Sequence, residues 1–165
     1  MLPVSRYAVR SSARLLDART AFHYGYTVVT PSMVANAPGA GMQVGMAAVD
    51  SNGEWLDGGK LYRLQLPPNV PAKEAWSVTL YDPQTRSLLQ TENLQPTLSS
   101  RTGKLKANAD GSYDLWFGPK APTLKEDNWV QTVPGKGWFA ILRIYGPLKP
   151  WFDKTWRPSE IELVK

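Results

Sequence analysis

The side chains best suited to chemistry lie on one predicted strand, residues 138–145. Alternation along this strand places Arg143 and Tyr145 on the same face, among aromatic and aliphatic side chains. A guanidinium in such surroundings is costly unless it is paired or faces a wet groove. Two interpretations therefore stay open. Arg143 either forms a buried ion pair with Asp82 or Glu126 that fixes the strand register, or it lies in a groove that binds an oxyanion or sugar hydroxyls.

A second predicted strand, residues 76–82, supplies the other side of this groove. Its apolar residues alternate with Ser77, Thr79 and Tyr81, which is the period-two pattern of a strand with one buried face. If the protein is an enzyme, the groove residues are also its candidate acids, bases or electrostatic stabilisers. We assign Tyr81, Arg86, Arg143 and Tyr145 to the groove, with Arg86 as a ligand-binding residue. The catalytic candidates at this place are Tyr81, Asp82, Arg143 and Tyr145.

His23 is the single histidine of the chain, so a Ser-His-Asp device must use it or do without histidine. The sequence has no Gly-x-Ser-x-Gly elbow and no cysteine. A lone histidine among aromatic residues is more often a packed or capping residue, and His23 is kept as a catalytic candidate of the hydrolase alternative. One histidine also cannot make the usual zinc site, which disfavours a zinc hydrolase.

Two oxygen-rich loops around Gly53 and Gly111 make calcium the better metal candidate. Neither loop is an EF-hand, because the closing bidentate glutamate is missing at the required spacing. Asp-Gly and Asn-Gly pairs also form hairpin turns, and this is their more common role. The sequence requires no cofactor, and calcium is its possible metal. The candidate ligands are Asp50, Asn52 and Asp57 in the first loop and Asn108, Asp110 and Asp114 in the second.

Tryptophan is abundant, with seven residues, and five of them lie near predicted turns: Trp55, Trp116, Trp129, Trp151 and Trp156. An exposed indole can stack on the C–H face of a sugar ring. More often such residues close the ends of a β-sandwich core. We assign Trp116 and Trp129 to ligand binding.

The elements that position these residues are predicted to be strands. The chain of 165 residues contains 13 Gly and 14 Pro with only 20% charged residues, which favours a turn-rich β domain. We predict an all-β fold, an antiparallel jelly-roll-like β-sandwich with one N-terminal helix. Residues 1–25 are predicted as helix and linker, and residues 26–165 as a single domain. The further predicted strands are 26–30, 44–49, 60–66, 86–91, 113–118 and 160–164.

Two N-terminal segments do not show the alternating pattern that predicts a strand. Residues 5–24 have helical periodicity with an arginine stripe, which is typical of a solvated face and less often of contact with an acidic partner or lipid headgroups. Residues 35–45 form a glycine-rich loop that lacks the Gly-Lys-Ser/Thr ending of a phosphate loop. We expect a mobile loop that borders the groove.

The distribution of charge limits the possible partners. The net charge is +5, but residues 1–20 hold four arginines against one aspartate, so the remainder is nearly neutral. A nucleic-acid surface needs a concentrated basic patch, and none is predicted. No run approaches the ~18 apolar residues of a membrane span, and the N-terminus lacks the apolar core of a signal peptide. We expect a soluble protein without an integral membrane segment, and its compartment stays open.

The order of the motifs is similar to that of a known family. The chain resembles the domain of unknown function numbered 1214, from about Asp17 to its end. In bacterial proteins that domain normally follows the domain numbered 1254. The resemblance implies a jelly-roll-like β-sandwich and no established reaction. The motifs are Trp-Ser-Val-Thr-Leu-Tyr-Asp at 76–82, Asn-Ala-Asp-Gly-Ser at 108–112, Asn-Trp at 128–129, Pro-Gly-Lys-Gly-Trp at 134–138, Leu-Arg-Ile-Tyr at 142–145 and Trp-Phe-Asp-Lys-Thr-Trp-Arg-Pro at 151–158.

The chain departs from this family pattern at three positions near the expected groove mouth. Ala75 stands where an aromatic residue is expected, and Met42 and Val44 stand where the family tends to have Ser and Tyr. A pocket here is therefore expected to differ from those of its relatives.

Three functional hypotheses follow. The first is a binding module for a carbohydrate or another small polar or anionic molecule. The second is a hydrolase of esters, phosphoesters or glycosides, with calcium as a possible helper; a pair of carboxylates ~5 to 9 Å apart in one cavity would favour glycosides. The third is a structural domain that forms a homo-oligomer through its aromatic residues.

Overall fold

The computed structural model describes residues 36–164, which form two four-stranded sheets packed face to face. The front sheet has the strand order β1-β7-β3-β4 and the back sheet the order β6-β5-β2-β8. A short helix, α1 (Lys149–Phe152), follows β7, and a 3-10 turn at Glu126–Asn128 precedes β6. The strands are β1 (Met42–Ala47), β2 (Tyr62–Leu66), β3 (Ala72–Tyr81), β4 (Thr97–Ser99), β5 (Tyr113–Gly118), β6 (Trp129–Gln131), β7 (Phe139–Pro147) and β8 (Glu162–Leu163).

The pairing of β3 with β7 forms the centre of the front sheet. These are the two longest strands, with 10 and 9 residues, and they run antiparallel. Their register places Ser77 opposite Arg143 and Tyr81 opposite Phe139. All other paired strands are antiparallel too, except β5 and β6, which are parallel.

One apolar core fills the space between the sheets. The front sheet contributes residues such as Val78 and Leu80, and the back sheet contributes Leu115 and Phe117; all four have no exposed surface. These positions alternate along their strands with residues on the outer faces, as a pleated strand requires. The sequence-based prediction of an all-β fold with two layers is therefore confirmed.

The individual strands agree with the predictions to different degrees. The strand predicted at 113–118 has the same bounds as β5. The hairpin partner predicted at 86–91 is much shorter than expected: one antiparallel bridge joins Tyr81 to Leu88, and β4 pairs with the rest of this edge of β3. The backbone of Arg86 has a positive φ of 59°, which interrupts an extended conformation at the start of that segment. Strand β1 also begins inside the predicted glycine-rich loop.

Several expectations reach beyond this description. The jelly-roll connectivity and the domain bounds stay predictions. The predicted helix at 5–24 and the extended piece at 26–30 lie outside the described residues. Within residues 36–164, no helix is long and apolar enough to cross a membrane.

Candidate functional site

A polar cavity of about 420 Å³ lies on the outer face of the front sheet. We call it the outer groove. Hydroxyl groups and two guanidinium groups dominate its lining, and no acidic side chain of residues 36–164 contributes to it. The residues that line it are Ala75, Ser77, Thr79, Tyr81, Leu88, Thr97, Ser99, Arg101, Arg143 and Tyr145.

The floor of the outer groove follows from the strand register. Ser77 and Thr79 of β3 lie opposite Ser99 and Thr97 of β4, so all four hydroxyls share one face. Thr97 Oγ1 donates a hydrogen bond of 3.1 Å to Thr79 Oγ1. Ser77 and Thr79 are only 7% and 5% exposed, so they lie at the bottom of the outer groove and not at its edge.

Arg143 runs along this floor toward Tyr81. Its Nη2 donates a hydrogen bond of 2.8 Å to Tyr81 Oη, and its Cζ lies 5.4 Å from the centroid of the Tyr81 ring. Because Arg143 lies opposite Ser77, four residues before Tyr81, the two side chains meet above Thr79. No carboxylate of the described residues lies within 4.0 Å of Arg143, so the ion pair expected with Asp82 or Glu126 does not form.

Two stacked rings with a cation on each side extend from Arg143 across the groove edge. The Tyr81 ring stacks on Phe139 with a centroid distance of 5.4 Å and an interplanar angle of 22°. Arg86 Cζ lies 5.8 Å from the Phe139 centroid on the loop after β3. Arg86 therefore supports the aromatic pair from outside, whereas Arg143 lines the cavity itself.

Asp82 lies outside the outer groove and stabilises the turn that ends β3. Its Oδ1 accepts hydrogen bonds from the backbone N–H groups of Gln84 (2.7 Å) and Thr85 (3.0 Å), and Oδ2 lies 3.8 Å from Lys136 Nζ. The Thr85 N–H above all, then the Gln84 N–H and the charge of Lys136, hold the pKa of Asp82 below its usual value, against burial, which raises it. The sequence predicted Asp82 as a site residue, and in the structure its carboxylate stabilises the turn after β3.

The first predicted calcium loop is a hydrogen-bonded turn. Asp50 Oδ1 accepts the backbone N–H groups of Asn52 (2.8 Å) and Glu54 (3.1 Å). Asp57 Oδ1 accepts the N–H of Gly59 at 2.8 Å. Side-chain acceptors of this kind mimic a backbone turn and need no metal.

The second predicted calcium loop has the same character. Asp110 Oδ1 accepts hydrogen bonds from the Ser112 N–H (2.9 Å) and hydroxyl (2.6 Å), and the hydroxyl is the main reason why the pKa of Asp110 is lowered. Asn108 Nδ2 donates to Ser112 Oγ and to Asp114 Oδ2. Asp114 Oδ1 is buried and has no hydrogen-bond partner within residues 36–164. In the described part of the chain no three acidic or histidine side chains are grouped to hold a metal ion, and calcium binding stays a prediction.

The two tryptophans assigned to ligand binding are not part of the outer groove. Trp116 and Trp129 lie side by side on β5 and β6, at outer-face positions of the back sheet. Trp129 Nε1 donates to Gly118 O at 3.0 Å. They are half-buried on the opposite side of the sandwich from Arg143. His23 lies outside the described residues.

The structure thus brings together three of the predicted site residues, Tyr81, Arg143 and Tyr145. The sequence interpretation missed Thr97, Ser99 and Arg101. They belong to β4 and the turn after it, and a strand of three residues is too short to show a clear period.

These features define a class, a two-layer β-sandwich with a polar groove on one outer face. The chain belongs to the family described as "Protein of unknown function (DUF1214)", whose model matches residues 42–149. The resemblance inferred from the motifs is thereby confirmed. A comparison with curated proteins gives no match.

Two solved structures are similar to this chain to different extents. The VPA0106 protein from Vibrio parahaemolyticus has 25% identity and a TM-score of 0.65, and the match covers 88% of this chain and 34% of that one. An uncharacterised protein from Burkholderia cenocepacia has 15% identity and a TM-score of 0.46, with coverage of 88% and 39%. The chain therefore spans between a third and two fifths of the length of these proteins.

Proposed function

We propose that the protein binds a small polar molecule with an anionic group in the outer groove. The observation that carries this proposal is Arg143, a half-buried cation that has no carboxylate partner among the described residues. One hydrogen bond to Tyr81 orients it, and no hydrogen bond within residues 36–164 engages its other N–H groups. A planar guanidinium with free donors matches a carboxylate or phosphate.

A second cation supports the same interpretation. Arg101 lines the groove and stays mostly exposed, with a side chain that is 68% accessible and a loose contact of 3.7 Å to Glu74. An exposed pair of this kind contributes little, so Arg101 is available to a ligand. With no acidic side chain of the described residues in the lining, the groove favours negative charge.

The hydroxyl floor defines the rest of the ligand. Ser77 and Thr97 offer donors and acceptors that suit the hydroxyl groups of a sugar or hydroxy acid. A volume of about 420 Å³ lies in the lower part of the range for ligand pockets, roughly 300 to 1,000 Å³. A sugar phosphate or a hydroxylated carboxylic acid combines all three properties: size, hydroxyls and charge.

The test compares two arginines on opposite outer faces. Calorimetry would measure binding of glucose 6-phosphate, citrate and inorganic phosphate at constant ionic strength to the wild type, to Arg143→Gln and to Arg63→Gln. Arg63 is the matched control, because it lies on the back sheet and pairs with Glu162 at 2.8 Å. Loss of a charge-assisted hydrogen bond should weaken binding about tenfold or more in Arg143→Gln only. Equal affinities in all three proteins, or no binding of any probe, would overturn the proposal.

A further inference from the structure

A second cavity, of about 320 Å³, is lined by Trp151, Lys154, Trp156 and Arg157. We call it the tryptophan cavity. It lies on the segment after β7 and shares no residue with the outer groove. Its lining comes from the motif at 151–158, which the proposed function leaves unexplained.

A compact turn brings the two indole rings together. The backbone N–H of Trp156 donates a hydrogen bond to the backbone carbonyl of Pro150 at 3.1 Å. Asp153 Oδ1 accepts hydrogen bonds from the backbone N–H (3.1 Å) and the hydroxyl (2.7 Å) of Thr155. As a result, the Trp151 and Trp156 rings lie 6.3 Å apart, with 36° between their planes. Trp156 is only 7% exposed, so the half-buried Trp151 supplies most of the apolar wall of the cavity and Trp156 lies beside it in the core.

Contacts behind the rings hold this wall in place. Trp156 Nε1 donates to Pro67 O at 3.3 Å, and Trp151 Nε1 donates to Gln43 Oε1 at 3.4 Å. The edge of the Trp151 ring also fits against Gly45, where a Cβ would come within 3.4 Å of Cη2. Both indole N–H groups are satisfied by the protein. Trp156 belongs to the core, so the accessible part of Trp151 is the ring surface open to stacking.

Lys154 adopts a conformation that its type disfavours. Its φ is +64°, at the position just past the end of α1 where glycine is usual. In this conformation its ammonium lies 5.4 Å from the centroid of the Trp151 ring. A backbone outlier at a cavity wall is a reason to look for a function of its side chain.

The positive charge of the cavity is not paired within the part of the chain that the structure describes. Lys154 and Arg157 form no ion pair with a carboxylate of residues 36–164, and no acidic side chain in that range lines the cavity. The cavity therefore combines an apolar wall with uncompensated positive charge. A neutral sugar would leave the charge unmatched, and a simple anion would leave the rings uncovered.

We propose that the tryptophan cavity binds an acidic sugar ring, such as a uronate. The C–H face of the pyranose would cover the indole wall, and its carboxylate would meet Lys154 and Arg157. The volume is at the lower end of the range for ligand pockets, which fits a single ring. This site is independent of the outer groove.

Nuclear magnetic resonance can test this directly through the tryptophan indole N–H signals. The probes are glucuronate, glucose, benzoate and acetate at equal ionic strength. Glucuronate should shift the Trp151 and Trp156 signals and bind at least fivefold more tightly than the other three. Shifts of equal size with glucose, tighter binding of benzoate, or no shift with glucuronate would each overturn the proposal.

Three variants locate the charge that is responsible. Lys154→Asn removes the ammonium but keeps a residue that tolerates positive φ, and Arg157→Gln removes the second cation. Lys149→Gln is the matched control, an exposed lysine of α1 outside the cavity. Glucuronate affinity should fall at least fivefold in the first two variants and stay unchanged in the control and in Arg143→Gln. Unchanged affinity in Lys154→Asn and Arg157→Gln, or an equal loss in Lys149→Gln, would contradict the assignment.

Discussion

Arg143 is half-buried and charged, yet it forms no ion pair with any residue of 36–164. One N–H group of its guanidinium donates a hydrogen bond to the Tyr81 hydroxyl. The Tyr81 ring also stabilises the positive charge through a cation–π contact. The remaining donors face a cavity with a hydroxyl floor. Among the described residues, the contact with Tyr81 and the polar lining of the cavity therefore reduce the cost of burying the charge, and no carboxylate does so.

This arrangement predicts a small stability loss for Arg143→Ala. Loss of one cation–π contact and one hydrogen bond should lower the free energy of unfolding by about 1–2 kcal/mol. Breaking a buried ion pair would instead cost about 3–5 kcal/mol. Urea denaturation of wild type and variant measures the difference, and a loss in the upper range would show that Arg143 has a charged partner after all.

Asp82 gives a second prediction at the residue scale, with a defined dependence on pH. Asp82→Ala removes the acceptor of two backbone N–H groups and should cost about 1.5–3 kcal/mol near pH 7. Because the pKa of Asp82 is lowered in the folded protein, its contribution is complete above the unfolded-state pKa and is lost as the pH falls through the folded-state value.

The measurement is urea denaturation of wild type, Asp82→Ala and Asp82→Asn across the acid range. Asp82→Asn is the control, since its amide oxygen can still accept hydrogen bonds but carries no charge. The wild type should exceed Asp82→Asn in stability at neutral pH and should lose this advantage below the folded-state pKa. An advantage that grows as the pH falls would contradict the lowered pKa.

At the scale of elements, the oxygen-rich loops are explained by turn formation. The Asp50 carboxylate accepts hydrogen bonds from two backbone N–H groups of its own turn. The Asp110 carboxylate accepts hydrogen bonds from both the backbone N–H and the hydroxyl of Ser112. The loop around Gly53 joins β1 to β2, and the loop around Gly111 leads into β5. Both glycines have positive φ, 82° and 83°, which other residues adopt at a cost.

Turn formation and calcium binding make different predictions for Asp50→Ala. If the carboxylate serves the turn, the variant should lose about 1–2 kcal/mol of stability, equally with calcium and with a chelator. Thermal melting of the wild type, Asp50→Ala and Asp110→Ala under both conditions measures this. A midpoint that rises with calcium in the wild type and not in a variant would establish a metal site at that loop.

The sequence predicts the long elements of this fold better than the short ones. Residues 113–118 are rich in aromatic residues, follow the turn sequence Asp-Gly-Ser and end at a glycine, so their bounds are found correctly. Strands β4 and β6 have three residues each, which is too few for a period, and both were missed. The groove was therefore predicted with the residues of β3 and β7 but without its wall from β4. The sequence left the surroundings of Arg143 open between an ion pair and a groove, because strand spacing does not reveal which nearby group a long side chain reaches.

At the scale of the whole molecule, contacts at one end of the sandwich join the two sheets. Trp138, just before β7 of the front sheet, is 2% exposed and packs against Tyr62 and Phe117 of the back sheet. Nearby, Thr132 Oγ1 donates a buried hydrogen bond of 2.7 Å to Gly58 O. A Cβ at Gly58 would overlap Val133 O, so only glycine fits there. Stability of the sandwich as a unit should therefore depend on this end.

Trp138 provides the prediction at this scale, because its ring and its indole N–H have opposite effects on the free energy of unfolding. The indole N–H is buried without a hydrogen-bond partner in the described residues, and such a donor costs about 1–3 kcal/mol. Trp138→Phe removes that donor and keeps an aromatic ring between Tyr62 and Phe117, so its net cost should stay below about 1.5 kcal/mol. Trp138→Ala empties the site and should cost about 3–5 kcal/mol.

Urea denaturation of both variants tests this, with Trp55→Phe as the control at a tryptophan that is 76% exposed. The control should not change the midpoint, and all variants should keep a single transition if the two sheets unfold together. If Trp138→Phe costs as much as Trp138→Ala, the indole N–H must have a partner such as a buried water, because only then would its removal add to the loss. The contrast between the two variants therefore separates two effects on the free energy of unfolding: the gain from packing the ring between the sheets and the cost of burying its unpaired N–H.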